Sequence, residues 1–159
     1  MSKVDDIFRA ARFDQWENFV ELIDEVDINV LNEYQQNLLH EATAKGAIRI
    51  AKELITLGIN LNQQDRNGQT PLHYAALRKN ADIAQAILKA GGNTNIRDNH
   101  GNNALWTAAF NARGDYSVVD TLLLFHADAT TRNAAGRSPL DFASQINDRK
   151  MIELLTQTI

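Results

Sequence analysis

The strongest constraint on the fold is a recurrence. Asn37-Leu38-Leu39-His40, Thr70-Pro71-Leu72-His73 and Asn103-Ala104-Leu105-Trp106 superpose when the chain is shifted by 33 residues, and a further shift of 35 reaches Ser138-Pro139-Leu140-Asp141. A unit of this length cannot bury its own apolar side chains, so only a stack of neighbouring copies removes them from water. Each tetrapeptide opens on a helix-capping residue. Asn, Thr and Ser accept a hydrogen bond from an unpaired amide of the first turn, and a proline next to them loses nothing because its missing N–H would be unpaired there. Four helices are predicted to start at these points.

Small residues follow at matching positions: Ala42 and Thr43, Ala75 and Ala76, Ala108 and Ala109, Ala143 and Ser144. They let a neighbouring helix approach closely. A second helix is predicted after each first one from the stripes Ile50/Ala51 with Leu54/Ile55, Ile83/Ala84 with Ile87/Leu88, Val118/Val119 with Leu122/Leu123, and Met151/Ile152 with Leu154/Leu155. Seven of the eight glycines fall in register: Gly46 and Gly114 between paired helices, Gly58 and Gly91 after the second helix, and Gly68, Gly101 and Gly136 in the connecting turns. Upstream, Ile7, Ala10, Ala11, Leu22 and Ile23 align at a spacing of 32 and indicate a degenerate first pair.

The segment Asp65-Arg66-Asn67-Gly68-Gln69-Thr70-Pro71-Leu72-His73-Tyr74-Ala75-Ala76, followed by Ile83, Leu88, Gly91 and Asn95, resembles an ankyrin repeat over its whole length. Neighbouring units depart from that pattern at Gln35 and Leu38, and at Ala104 and Trp106. The resemblance implies an all-α ankyrin-repeat solenoid of about five stacked helix pairs with short hairpin-like turns, forming one domain over 1–159. Residues 1–31 form the degenerate amino-terminal cap pair, 32–64, 65–97 and 98–132 the repeats, and 133–159 the carboxy-terminal capping repeat. It also implies that His40 and His73 use their imidazoles to hydrogen-bond the turns.

No catalytic motif emerges. The chain has no cysteine, which removes disulfide scaffolds and cysteine-based zinc sites. There is neither a glycine-rich phosphate loop nor a Gly-x-Ser-x-Gly elbow. His40-Glu41-Ala42-Thr43-Ala44 begins like a zinc-protease helix, but Ala44 stands where the second histidine ligand belongs. Arg113-Gly114-Asp115 matches a cell-adhesion tripeptide, but the repeat already accounts for its glycine. The expectation is a non-enzymatic protein with no metal and no cofactor. Without an apolar run at the amino terminus, a cytoplasmic setting away from membranes is expected.

Charge divides unevenly. Residues 1–33 carry nine carboxylates against Lys3, Arg9 and Arg12, although the whole chain has a net charge of only −4. In proteins resembling this one, the turn tips and the exposed face of each first helix form a concave surface that binds other proteins. Carried over by repeat position, that surface comprises Tyr34, Gln36 and Lys45, then Arg66, Asn67, Gln69, Leu77 and Arg78. Asn99, His100, Asn102, Trp106, Phe110 and Asn111 continue it, and Arg137 and Gln145 complete it. Lys45, Arg66, Arg78, Arg97, Arg132 and Arg137 make this face basic against a single acid, Glu33, and guanidinium groups favour carboxylates. An acidic partner protein is the expectation, with the free chain monomeric and nucleic acid disfavoured by the overall acidity. Phe110 is read as an aromatic anchor, while Trp106 fits either an anchor or packing between repeats. The unit Asn103 to Ala143, with its lengthened segment Phe110 to Asp115 and its Arg-Asn-x-x-Gly-x-Ser-Pro-Leu turn, is similar to small stand-alone bacterial ankyrin proteins, some of which are immunity proteins that block a toxin. A regulatory scaffold or nucleic-acid-associated adaptor using the basic row is the alternative.

Overall fold

The computed structural model describes residues 1–157, within which the chain forms ten α-helices and a single 3₁₀ turn at Ile23–Glu25. Five inner helices are α1 (Lys3–Arg12), α3 (Leu38–Lys45), α5 (Pro71–Leu77), α7 (Ala104–Asn111) and α9 (Pro139–Gln145). Five outer helices alternate with them: α2 (Trp16–Leu22), α4 (Ile48–Thr56), α6 (Ala81–Lys89), α8 (Ser117–Leu124) and α10 (Arg149–Thr156). The result is an all-α solenoid of five antiparallel pairs.

Helix starts follow the recurrence. Asn37, Thr70, Asn103 and Ser138 are the N-caps of α3, α5, α7 and α9, each accepting from an amide of the first turn. The first pair deviates, because the 32-residue spacing projects its cap onto Asp5 whereas Ser2 caps α1 and Asp5 completes a reciprocal capping box with it. Inner helices pack in sequence, α1 on α3, α3 on α5, α5 on α7 and α7 on α9. The outer row runs from α2 to α8, while α10 is held mainly against its own partner α9. A cleft lined by Leu123, Leu124 and Leu154 lies between α8 and α10, and Leu124 is 74% exposed.

Between the two rows lies one continuous core. Ile7, Phe19, Leu38, Leu39, Ile50, Leu54, Ile83, Ile87, Leu105 and Leu122 are fully buried there, as are Ala42, Ala75, Ala76 and Ala143. The small side chains permit the close approach of inner helices, and the large ones fill the space between inner and outer layers. At about 25 cal/mol per Å² of apolar surface removed from water, such burial drives stacking.

The turns between repeats form a ladder of hairpin-like tips. Asn32, Asp65, Asp98 and Asn133 organise them, each accepting two backbone N–H groups on its side chain, as Asp65 does from Asn67 and Gln69 at 2.9 Å. The third residue after each organiser sits at positive φ: Gln35, Gly68, Gly101 and Gly136. Gly68 is constrained twice over, because a Cβ there would also lie 2.9 Å from the backbone nitrogen of Asn99 in the next tip. Tips are joined directly, with Arg66 N–H donating to the Tyr34 carbonyl (3.0 Å), Asn99 to Asn67 (3.0 Å) and Ala134 to His100 (2.9 Å).

Candidate protein-binding surface

One position of the repeat shows how the stack holds its tips. His40 Nδ1 accepts the Asn37 N–H (3.1 Å) and its Nε2 lies 2.9 Å from the Gln69 carbonyl. His73 repeats this with the Thr70 N–H (3.1 Å) and the Asn102 carbonyl (2.9 Å). An amide can only donate and a carbonyl only accept, so both imidazoles are neutral with the proton on Nε2. Burial holds both pKa values below the ordinary imidazole range. The histidines therefore fasten each inner helix to the following tip. Beside His40, the Tyr74 hydroxyl donates to Asp65 (2.7 Å) and accepts from Gln36 (2.6 Å), with the tyrosine pKa raised by burial first and the carboxylate second.

The next occupant of the position behaves differently. Trp106 is half-buried, and its indole Nε1 has no hydrogen-bond partner among the described residues. Its ring stacks on Phe110 (centroids 5.3 Å apart, 20° between planes) and meets Phe142 at 5.6 Å. Phe110 and Phe142 close the trio at 5.2 Å. Trp106 thus forms a base on which Phe110, 51% exposed, is presented. Phe142 was not legible as part of the site, because its repeat position carries Glu41, Tyr74 and Thr107 in the other units. Leu77 stands one repeat before Phe110, and Ile146 one helix beyond it, both exposed.

The basic row is narrower than the sequence suggests. Arg132 binds Asp141 (2.6 Å) and the Gly136 carbonyl (2.7 Å). Arg97 donates to the carbonyls of Gly101 and Arg132, so both side chains fasten tips. Arg137 donates to neutral Gln145 (2.8 Å) and keeps an uncompensated charge. Lys45, Arg66 and Arg78 are exposed and have no side-chain ion pair among the described residues. The inner face also holds Glu41, which pairs with Arg12 at 2.8 Å.

The remaining candidates divide by where their polar ends point. Tyr34, Asn67, Asn99 and His100 are exposed along the tips, although Asn99 also donates to the Arg66 carbonyl at 2.9 Å. Gln36, Asn102 and Asn111 are half-buried with their side chains engaged inside the stack, on Tyr74, Asn133 and the Thr107 carbonyl respectively. Gln69 is half-buried and receives His40 on its backbone oxygen. In the Arg113-Gly114-Asp115 loop, the Asp115 carboxylate accepts from the Ser117 amide and hydroxyl, which explains that residue without a partner.

A family model described as "Ankyrin repeats (3 copies)" matches the chain over residues 7–98 and 39–133. The chain belongs to the ankyrin-repeat family. A comparison with curated proteins finds no significant match. This ankyrin-repeat protein is a non-enzymatic protein–protein interaction module. Among its described residues, no cluster of three or more His, Cys, Asp or Glu converges to hold a metal ion, and no helix is long and apolar enough to cross a membrane.

Proposed function

We propose that this module captures an acidic surface of a partner protein on its inner face between α5 and α9. One observation carries the reading: Leu77, Phe110 and Ile146 expose apolar surface in adjoining repeats while Arg78 and Arg137 stand beside them with uncompensated charge. Exposed aromatic anchors ringed by arginine dominate many interfaces, and a positive field accelerates encounter with an acidic partner. Similarity to small bacterial ankyrin proteins extends the proposal to an immunity role, in which capture occludes a toxin. The stack supplies a rigid platform for it.

The test combines Arg78→Glu with Phe110→Ala in a tagged protein used as bait. Both residues are exposed, so helical circular dichroism should be unchanged while a partner held by the parent chain is lost. Equal capture by both chains overturns the assignment. Salt separates the alternative, since contacts to nucleic-acid phosphates weaken steeply along a log–log line whereas an interface with an aromatic anchor persists.

A further inference from the structure

The first tip differs from the three that follow it. Arg66, Asn99 and Ala134 each donate their backbone N–H to the preceding tip. Glu33 occupies the same repeat position, and its N–H has no partner among the described residues. Two residues earlier in each tip, Gln64, Arg97 and Arg132 donate to the carbonyls of Gly68 (2.9 Å), Gly101 (3.0 Å) and Gly136 (2.7 Å). Leu31 takes that place in the first tip and is 41% exposed instead. A cleft of about 670 Å³ opens beside it, with Met1, Val4, Phe8, Leu31 and Tyr34 forming its apolar wall.

The charged side chains around this cleft are hydrogen-bonded within the chain with one exception. Asp5 accepts from Ser2, Arg9 donates to Asp6 at 2.5 Å, and Arg12 donates to Glu41 at 2.8 Å. Glu33 alone among the charged lining residues has no side-chain partner among the described residues. An unpaired backbone donor, a cleft of mixed lining with an apolar wall, and a free carboxylate thus converge at one edge. An extended peptide satisfies such an edge through its main chain while its side chains give specificity.

We propose that the open edge of the first tip is a second docking site, which takes an extended apolar segment of a partner protein flanked by lysine or arginine. A main-chain carbonyl of that segment accepts the Glu33 N–H, as the Tyr34 carbonyl accepts the Arg66 N–H one repeat on. An aliphatic side chain enters the cleft over Phe8 and Leu31, and the flanking cation pairs with the Glu33 carboxylate. The site does not depend on the basic row and lies at the other end of the stack from Phe110.

The probe is the peptide acetyl-Lys-Val-Leu-Val-Lys-amide, titrated into the isotope-labelled full chain and followed by amide NMR. The Leu31, Glu33 and Tyr34 amides should shift, and exchange of the Glu33 amide should slow by about tenfold near saturation. Leu31→Asp should weaken binding by about tenfold, and Leu31→Gln, which copies Gln64, provides the same reading if the aspartate impairs folding. Glu33→Gln should erase the preference for this peptide over acetyl-Glu-Val-Leu-Val-Glu-amide. The Arg78→Glu/Phe110→Ala chain should bind the probe like the parent, which separates this site from the inner-face proposal. Four outcomes overturn it: no Glu33 shift at millimolar peptide, shifts confined to the surroundings of Phe110, parental affinity in both Leu31 variants, or Glu33 shifts that follow protein concentration alone. The last would make a second copy the occupant.

Discussion

Phe8, His40, His73, Trp106 and Asp141 occupy one repeat position, and the middle of the stack treats it differently from the carboxy-terminal end. His40 and His73 turn inward and fasten the following tips. Trp106 makes no such bond and supports an exposed phenylalanine instead, while Asp141 caps its helix and pairs with Arg132. Repeat position decides where a side chain sits, whereas its chemistry decides whether that place serves the stack or a partner.

The sharpest way to break this contrast is truncation at the two positions. His73→Ala leaves the buried Thr70 N–H without its acceptor and the third tip without its fastening, and should cost about 3 kcal/mol in urea unfolding. Trp106→Ala loses packing but no hydrogen bond and should cost about 2 kcal/mol. Equal losses would dissolve the distinction. The tips offer a second comparison, because a Cβ at Gly68 meets the next tip whereas one at Gly136 meets nothing within 4 Å, both at positive φ. Gly68→Ala should cost about 2–3 kcal/mol and Gly136→Ala about 1 kcal/mol, measured by thermal melting.

Acid should act on the middle of the stack first. Burial lowers the folded-state pKa of His40 and His73, so as pH falls through about 6.5 the unfolded chain takes up protons that the folded chain refuses. Stability is therefore full above that point and declines below it, down to the folded-state pKa. Urea midpoints between about pH 7 and pH 5 should fall in the parent chain and flatten in His40→Gln/His73→Gln. The smallest stability effect belongs to Phe110→Ala, under about 1 kcal/mol because half of the ring is already in water. A larger loss would mean that Phe110 serves packing rather than presentation.

The stack was legible because its signals are local. Asn37, Thr70, Asn103 and Ser138 announce helix starts through their own side chains, and the aliphatic stripes announce the buried faces. Non-glycine residues could still hide a turn: Gln35 takes the positive φ that Gly68, Gly101 and Gly136 take in the other tips. The candidate surface was legible as a set of positions, but not as a division of labour. Arg97 and Arg132 read as binding residues because spacing alone does not show that their guanidinium groups fold back onto the Gly101 and Gly136 carbonyls of their own tips. Phe142 and Leu31 were missed for the converse reason. Their importance depends on neighbours from other repeats, and neither belongs to a recurring motif.

The outer row gives the molecule a mechanical direction. With α10 packed mainly on α9 and joined to the start of α8 by the Tyr116 hydroxyl on Asp148, a pulling force applied at the carboxy-terminal end meets a thinly joined seam first. The last outer helix should peel away before the pairs upstream of it, whose inner and outer helices are both gripped by neighbours. Tension would then erode the inner face from the α9 side, shedding Phe142 and Ile146 while the tip at Glu33 still stands.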